Sequence, residues 1–439
     1  MDTPICDFVR RYADSSTLRL HMPGHKGIGP LGCEHLDITE ISGADSLYEA
    51  SGIIAQSERN ASALFHCPTF YSTEGSSQCI RAMLHLATCG KSRRIAAARN
   101  VHKTFLSAAA LLDLTVDWLY PEDYKAYLCC QITPEALENH LSGCAEMPGA
   151  VYVTSPDYLG NVLDISGLAN VCHRYGVLLV VDNAHGAYLK FLPNSRHPMD
   201  LGADLCCDSA HKTLPVLTGG AYLHIRDTEL AKQAKNALAL FGSTSPSYLI
   251  LQSLDAANAL LADPSYSRDL AALSVLADGV RQQLDRSGIH ASIGDEPLKI
   301  TIYPKHYGYT GTELADVLRK HSIECEFADP DFLVWMLTPA ITEAQLQRLV
   351  DILTSLPRRK PLHAAPPLIG RPKTQLSIRQ ALLSPSETIP VSESEGRILS
   401  AASVGCPPAV PILVCGEQID RQALLCFQYY EIDTVTVVK

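Results

Sequence analysis

The residues with the clearest chemical potential follow two apolar segments near the middle of the chain. In VVDNAHGAY, apolar residues lead into Asp182 and His185, and in DLCCDSAHK a second apolar run leads into Lys212. A lysine at the end of a buried strand is costly to desolvate, and desolvation lowers the pKa of an amine towards the range used in Schiff-base chemistry. Taken alone, the position of Lys212 favours an ordinary lysine that leaves a strand for solvent over a catalytic group.

Asp182 strengthens the catalytic interpretation of Lys212. A buried carboxylate needs a cationic partner, and the protonated ring nitrogen of a pyridine is one. Keeping that nitrogen protonated makes the ring an electron sink, which is the main electronic contribution of a protein to pyridoxal chemistry. The alternative is that Asp182 caps the following helix. Because Asp182 and Lys212 end consecutive predicted strands, the pair favours a pyridoxal 5'-phosphate cofactor bound to Lys212 as an internal aldimine.

A candidate phosphate-binding segment lies earlier in the chain. A Gly-Ser-Ser sequence comes immediately before an amphipathic helical pattern, so that backbone N–H groups and hydroxyls converge on an anion. Alone, such a segment is only a helix cap, but its position ahead of Asp182 and Lys212 favours phosphate binding. The candidate phosphate donors, with those that flank Lys212, are Gly75, Ser76, Ser77, Ser209 and His211.

The sequence is less informative about the roles of two histidine-containing segments. His102 in RNVHK opens a predicted helix, where it fits equally an ordinary cap and a residue that stacks on the pyridine ring and acts as acid or base. HMPGHKG contains His21 and His25, but Pro-Gly between them prevents a helical pair, and no acidic or cysteine ligand accompanies them. We interpret HMPGHKG as a fixed loop rather than a metal site.

The elements that position these residues alternate along the chain. Strands are predicted at 150–156, 176–185, 204–211 and 220–225, with a helix over 165–176 that ends at a glycine. Strands that are apolar on both faces and separated by helices indicate an α/β fold with a mainly parallel sheet and helices on both faces. Ligands of such sheets bind at the loops after the strand C-termini, where the candidate residues lie.

The pattern changes in the second half of the chain. An amphipathic helix over 268–287 leads into strands and helices typical of a small α+β domain, and a basic, proline-rich segment then indicates a linker. The predicted organisation is an N-terminal arm (1–30), a large cofactor-binding domain (31–265), a small α+β domain (266–356), a linker (357–374) and a β-rich C-terminal domain (375–439).

Composition limits the partners of the chain. Its 439 residues include 36 basic and 47 acidic ones, a formal net charge of −11, and no basic run could follow a phosphate backbone, which argues against nucleic acid. Charged residues interrupt every apolar stretch and the N-terminal segment lacks an export signal, so we expect a cytoplasmic protein without a membrane partner. The 15 scattered cysteines are interpreted as reduced, mostly buried residues rather than as a disulfide framework.

Ordered motifs over almost the whole chain resemble the bacterial ornithine/lysine/arginine decarboxylase family. This resemblance implies the aspartate-aminotransferase fold (fold type I of the pyridoxal-phosphate enzymes), with its seven-stranded type of sheet. GRILSAA and PPAVPILVCGEQI are similar to the C-terminal domain of the family. The other matching motifs are HMPGHKG (21–27), DITEISGADSLYEASGII (37–54), RNVHKTF (99–105), TSPDYLGNVLDI (154–165), VDNAHGAY (181–188), SAHKTLPVLTGGAYLH (209–224) and STSPSY (243–248).

The resemblance implies a role for each matching residue. Lys212 would form the aldimine, Asp182 would pair with the pyridine nitrogen, and His102 would stack on the ring. His185 would lie close beneath the ring. The phosphate would be bound by Ser76, Ser77, Ser209 and His211.

The same resemblance implies a homodimer with shared active sites. STSPSY is similar to a segment near the dimer interface of the family, so Ser245 is expected to reach the phosphate of the partner subunit. The large members of the family carry an N-terminal wing domain that builds higher assemblies, whereas about twenty residues precede HMPGHKG here. The chain therefore resembles the short form, and we expect a dimer or a tetramer.

Departures from the family pattern leave the substrate open. LTGGAY lacks the glutamine that many relatives have after Leu-Thr, CGEQI replaces a Pro-Gly-Glu element, and GADSLYEA replaces an Asp-Asp-Leu element. A cationic substrate side chain requires a carboxylate at the far end of the pocket. Glu417 in CGEQI and Asp45 in GADSLYEA are the candidates, although both are also compatible with ordinary surface acids.

The predicted reaction is decarboxylation of lysine, ornithine or arginine, which gives carbon dioxide and a diamine or agmatine. His102 or Lys212 would protonate the α-carbon. An aminotransferase, or another lyase or racemase with this cofactor, is the alternative. Aminotransferases of this fold usually place an arginine late in the small domain, and TIYPKHYGYT and FLVWMLTPAIT contain none. A non-catalytic binding protein is disfavoured because the candidate catalytic set is intact.

Overall fold

The structure is a computed structural model of the 439-residue chain. It describes residues 1–121, 126–291, 295–367, 370–406 and 410–439, and for 403–406 and 410 only the backbone. Residues 407–409, which begin PPAVPILVCGEQI, and 368–369 of the predicted linker lie outside the described residues. In the described part of the chain, no helix is both long enough and apolar enough to cross a membrane.

Helices and strands alternate through the first half of the chain. The α-helices are α1 (Pro4–Ala13), α2 (Ile53–Phe65), α3 (Gly75–Thr88), α4 (Lys103–Leu112), α5 (Pro134–Ser142), α6 (Ile165–Arg174), α7 (Pro198–Leu201), α8 (Ala210–Thr213), α9 (Thr228–Ala231), α10 (Ala234–Ala239), α11 (Tyr248–Leu261), α12 (Pro264–Arg286), α13 (Gly311–Lys320), α14 (Glu343–Thr354), α15 (Ile378–Leu383) and α16 (Arg421–Tyr429). The strands are β1 (Thr69–Ser72), β2 (Arg94–Ala98), β3 (Thr115–Leu119), β4 (Ala150–Thr154), β5 (Leu178–Asp182), β6 (Leu205–Asp208), β7 (Ala221–Ile225), β8 (His290–Ala291), β9 (Lys299–Tyr303), β10 (Phe327–Ala328), β11 (Leu333–Met336), β12 (Ser386–Pro390), β13 (Ser403–Cys406), β14 (Val410–Val414) and β15 (Thr434–Val438).

The internal contacts of the chain define two units, which are described in turn. The first unit comprises Met1–Lys91 and Ile165–Asp269. Its strands of the large sheet are ordered β1, β7, β6, β5. β5 and β6 are parallel, with Asp182 beside Cys207, whereas β7 is antiparallel to both β6 and β1. α3 packs on β5, β6 and β7, so the apolar side chains between helix and strands leave water together.

The N-terminal helix belongs to the core of the first unit. α1 packs against α2 and α11, and Ile5 at its beginning is fully buried. The Asp255 carboxylate on α11 accepts hydrogen bonds from the N–H groups of Ile5 and Cys6 at 2.9 and 3.0 Å. These N–H groups lie in the first turn of α1, which has no partners of its own for them, so Asp255 fixes the helix start.

The second unit comprises Ser92–Asp164 and Leu270–Lys439. Its part of the large sheet has the order β4, β2, β3, and all three strands are parallel. A smaller antiparallel sheet has the order β10, β11, β9, β8, and β12/β15 and β13/β14 form two-stranded pairs. Phe327 and Val334 of the smaller sheet share an apolar cluster with Leu413 and Phe427 near the C-terminus.

The predicted α/β class with a large, mainly parallel sheet is confirmed, and seven strands belong to that sheet. Each of the four strands predicted in the first half is present, and the helix predicted at 268–287 spans Pro264–Arg286. In the region predicted as a small α+β domain, the strand β10 is only two residues long, Phe327–Ala328. The C-terminal region contains helices α15 and α16 besides its strands. In α16, the apolar residues recur with helical rather than alternating spacing.

The predicted domain boundaries stay a prediction. The division by contacts separates 92–164 from the rest of the predicted large domain, and its last boundary falls inside α12, after Asp269. The segment predicted as a linker carries no helix or strand in its described residues.

Candidate active site

Lys212 lies just beyond the end of β6, where the sequence predicted it. All four residues of β6 are buried, and the chain then turns into the short helix α8, which carries Lys212. The Lys212 Nζ is 3.1 Å from Nε2 of His185, which is 5% exposed and follows the end of β5. The residues that follow β5 and β6 therefore lie together, as expected, with an amine and an imidazole in hydrogen-bond contact.

Asp182 is the last residue of β5 and is 2% exposed. Its Oδ1 accepts a hydrogen bond from the N–H of Ala184 at 3.1 Å and one from the thiol of Cys207 at 3.7 Å. Burial is the main cause that raises the pKa of Cys207 well above its usual range, so the sulfur keeps its proton and can donate it to the carboxylate. A buried carboxylate at a strand end is suited to hold a protonated pyridine nitrogen.

The Gly-Ser-Ser segment begins α3, whereas the sequence analysis placed it just before the helix. Gly75 is the first residue of α3, with φ +71°, and its N–H donates to the Gly219 carbonyl at 2.7 Å. The Ser209 hydroxyl donates to the Ser76 hydroxyl at 2.7 Å, so the two predicted phosphate donors lie together. Ser77 is in the same first turn, where the helix dipole favours an anion.

Space and donor chemistry at this helix start fit a phosphate group. A Cβ added to Gly75 would have one neighbour within 4 Å, the His211 Cε1 at 4.0 Å. The His211 Nδ1–H donates to the Gly220 carbonyl at 3.1 Å, which fixes the ring. Burial is the main cause that lowers the pKa of His211 below 6.5, so its ring is neutral near pH 7 in the absence of an added anion. Hydroxyls and backbone N–H groups are donors that a phosphorylated pyridine cofactor needs, and protonation of His211 beside a bound phosphate would add an N–H on Nε2.

His102 belongs to the second unit and directly precedes α4, as the sequence predicted. Its Nδ1 accepts a hydrogen bond from the Thr104 N–H at 3.2 Å, so the neutral ring carries its proton on Nε2. His102 therefore caps the start of α4, as one of its two interpretations predicted. Stacking of His102 on the cofactor stays a prediction.

The two acids suggested for substrate binding are engaged within their own units. Glu417, 1% exposed, forms an ion pair of 2.6 Å with Arg99 and accepts the Val414 N–H at 2.9 Å. Asp45, 7% exposed, accepts backbone N–H groups of 51, 52, 54 and 55 at 2.7–3.3 Å and so fixes the start of α2. These contacts show that both acids are buried rather than at the surface, and they give each a structural role. The Oε1 atom of Glu417 is buried with no hydrogen-bond partner among the described residues, so substrate binding by Glu417 and Asp45 stays a prediction.

Ser245 is exposed in the loop before α11, and its N–H donates to the Ser243 hydroxyl at 3.1 Å. The Ser243 N–H in turn donates to the Glu74 carboxylate, directly before α3. The loop thus lies beside the candidate phosphate-binding helix start of its own chain. The partner-directed role of Ser245 stays a prediction.

A buried histidine–aspartate cluster was missed by the sequence analysis. Asp208, the last residue of β6, lies 3.0 Å from Nε2 of His197 and 3.1 Å from Nε2 of His224, and all three side chains are fully buried. Asp208 stands four residues before Lys212 in the motif that identified the lysine. The signal was its position at a buried strand end, the same signal that identified Asp182.

Comparison with known proteins places this site in a family. A sequence model described as Orn/Lys/Arg decarboxylase, major domain, matches residues 3–300. The chain is 31% identical to an arginine decarboxylase from Halalkalibacterium halodurans, over 96% of this chain and 92% of the relative.

Solved structures share the fold. A lysine decarboxylase from Francisella novicida superposes with a TM-score of 0.83 at 17% identity, covering 100% of this chain and 81% of the other. A serine palmitoyltransferase from S. paucimobilis with a bound PLP–myriocin aldimine superposes with a TM-score of 0.54 at 13% identity, covering 69% and 75% of the two chains. The chain belongs to the Orn/Lys/Arg decarboxylase family, whose members have a pyridoxal-phosphate-dependent fold and decarboxylate basic amino acids.

Proposed function

We propose that this chain is a pyridoxal-phosphate-dependent decarboxylase of a basic amino acid, with arginine as the first candidate. The observation that carries the proposal is the contact of 3.1 Å between Lys212 and His185, at strand ends that also hold the buried Asp182. The arginine preference rests on the curated relative, which is an arginine decarboxylase and matches 96% of this chain.

The residues of the first unit have separate tasks in this proposal. Lys212 would bind the cofactor aldehyde, and the His185 Nε2 beside it would accept the proton that the Lys212 ammonium must lose first. Asp182 would hold the proton on the pyridine nitrogen. When bound, pyridoxal phosphate supplies a ring that accepts the electron pair left when the carboxylate departs as carbon dioxide.

Phosphate binding would hold the cofactor in place during this exchange. The Ser76 and Ser209 hydroxyls, 2.7 Å apart, would bind the phosphate at the start of α3, with Ser77 and His211 beside them. In the second unit, His102 would carry its proton on Nε2, so that this atom could deliver it to the α-carbon after carbon dioxide leaves.

The decisive experiment measures products. Purified protein supplied with pyridoxal phosphate is incubated with arginine, lysine and ornithine, and carbon dioxide and amines are quantified, with Lys212→Ala as the inactive control. We expect carbon dioxide and an amine in equal amounts from at least one substrate. Turnover that requires a 2-oxo acid acceptor and releases no carbon dioxide would refute the proposal in favour of an aminotransferase.

We propose in addition a cytoplasmic homodimer whose active sites are shared between subunits. Every cysteine with a described side chain is a free thiol, which supports a reducing compartment. For the shared site, Ser245→Glu should repel the partner's phosphate, whereas Lys212→Ala removes the amine. Mixing the two variants should restore up to about a quarter of the parental activity if random dimers form and each site takes one residue from each subunit. Subunit exchange without any recovery would contradict sharing.

A further inference from the structure

The fully buried Asp208 connects three neighbouring strands of the first unit. Its Oδ2 faces His197, the residue before α7, and His224 on β7, at 3.0 and 3.1 Å. Its Oδ1 accepts a hydrogen bond of 2.7 Å from the side-chain amide of Asn183, which follows β5. Since Asp208 itself ends β6, one carboxylate connects β6 with β7 and with the residue that follows β5.

Hydrogen-bond partners define the protons in this cluster. The His197 Nδ1 accepts the Met199 N–H at 3.3 Å, so the proton of the neutral ring is on Nε2 and is donated to Asp208. The His224 Nδ1 lies 2.9 Å from the Thr69 hydroxyl, which already donates its own proton to a backbone carbonyl at 3.0 Å. With the Thr69 proton on that carbonyl, His224 donates from Nδ1 as well as from Nε2, which favours the imidazolium form of His224.

Electrostatics agree with this assignment. Burial alone would raise the pKa of Asp208, but His197 and His224 outweigh it and lower the pKa far below its usual 3.8. Burial alone would lower the pKa of His224, but the Asp208 carboxylate raises it above 6.5. The cluster is thus a buried ion pair with a second, neutral histidine donor, and each oxygen of the carboxylate has a partner.

The cluster is connected to the candidate active site through Asn183. Asn183 lies between Asp182 and His185 in the chain, and its N–H also donates to the Cys207 carbonyl at 3.0 Å. Its side-chain amide and its backbone are therefore both held by β6, the strand that leads into Lys212. A shift of Asn183 would displace Asp182 and His185 relative to Lys212.

We propose that Asp208 is a positioning residue, which, held by His197 and His224, fixes Asn183 and so orients Asp182 and His185 towards the cofactor bound at Lys212. The inference rests on the proposed function for the identity of the cofactor. The three side chains also have the composition of a metal site. A metal would need unprotonated Nε2 atoms, whereas both Nε2 atoms here carry the protons that Asp208 accepts.

The test compares Asp208→Asn, Asn183→Ala and their double variant as holoenzymes. Asp255→Asn is the matched control, because Asp255 is a fully buried aspartate of the same unit that binds α1 instead of β5. The first readout is the visible absorbance band of bound pyridoxal phosphate and the pH at which it changes, which reports how the cofactor nitrogen and Lys212 are protonated. The second is kcat and KM for the decarboxylated amino acid.

We expect each single variant to move the band or its pH midpoint and to lower kcat by about 10²-fold with little change in KM, as for small misplacements of catalytic groups. The double variant should lose no more than Asp208→Asn alone, because both changes break one connection. Asp255→Asn should lose stability but keep the band.

An unchanged band in Asp208→Asn, additive losses in the double variant, or a stoichiometric metal ion that Asp208→Asn releases would each overturn the inference. The proposed function fails separately, when the parent protein releases no carbon dioxide. The band measurement still tests the positioning role in that case, since it requires only the bound cofactor.

Discussion

Replacing Glu417 is expected to destabilise the second unit rather than to weaken substrate binding alone. The Glu417 carboxylate and the Arg99 guanidinium form a 2.6 Å pair at 1% and 2% side-chain exposure, and the same carboxylate accepts the Val414 N–H. Glu417→Leu removes a carboxylate partner from a buried guanidinium, which costs about 3–5 kcal/mol of unfolding free energy. Glu417→Gln keeps both hydrogen bonds in neutral form and should cost about 1–3 kcal/mol.

The chain offers a direct assay and a matched control. Both of its tryptophans, Trp118 and Trp335, belong to the second unit, and the Arg99 guanidinium lies 4.9 Å from the centre of the Trp118 ring. Urea unfolding followed by tryptophan fluorescence therefore reports on the unit that contains the pair. The control is Glu146→Gln, because Glu146 faces Arg94 at 3.6 Å with 65% of its side chain exposed. Glu146→Gln should lower the free energy of unfolding by less than about 1 kcal/mol.

A double variant tests whether the loss of stability comes from the charge that remains on Arg99. Arg99→Met combined with Glu417→Leu removes both charges, and well-packed apolar residues can replace a buried ion pair at little cost, so most of the stability should return. If Glu417→Leu unfolds at the same urea concentration as the parent, the buried-pair reasoning is refuted. In that event a rise in KM for the basic amino acid, with cofactor binding intact, would restore the substrate role predicted for Glu417 from the sequence.

Lys212→Ala should abolish the yellow colour of the holoenzyme and the borohydride-reducible link to the cofactor, and an adduct that persists would show that another amine binds it. Asp182→Ala should lose far more turnover than cofactor occupancy, because the phosphate supplies much of the binding; equal, modest losses would indicate a helix cap. The stability contributed by the Asp208 cluster should be greatest between about pH 4 and 6.5. The Asp208 carboxylate contributes stability above its unfolded-state pKa of 3.8, and this stability is lost as the pH falls through its lowered folded-state pKa. His224 contributes stability below its unfolded-state pKa of 6.5, and this stability is lost as the pH rises through its raised folded-state pKa. Asp208→Asn should therefore flatten the pH profile of unfolding, and a profile that keeps its shape would contradict the buried ion pair.

The strands and the residues at their ends could be predicted because the signal is local. The apolar runs before Asp182 and Lys212 have the length and composition of buried strands, and parallel strands bring their C-terminal ends to one edge of a sheet. The partners of Asp208 could not be predicted, because His197 and His224 are brought to it by α7 and β7. No spacing rule links these residues.

The roles of the two acids could not be predicted from the sequence for the same physical reason. Composition does not reveal whether an acid will be buried, so Glu417 and Asp45 were compatible with surface residues and with substrate ligands alike. In the structure, one balances Arg99, which lies 318 residues earlier, and the other anchors a helix start only six to ten residues away. Only tertiary structure distinguishes a carboxylate that meets a ligand from one that meets its own chain.

The Cys207–Asp182 hydrogen bond has a consequence for redox damage. Thiols react with oxidants as thiolates, and burial suppresses the thiolate of Cys207 and of its neighbour Cys206. Cys89, at the C-terminal end of α3, is exposed to solvent. Mild peroxide should thus oxidise this exposed thiol first and spare the Cys207 sulfur, which contacts the proposed catalytic carboxylate of Asp182. A chain with many cysteines can in this way keep one of them next to its reaction centre without making that centre an oxidation sensor.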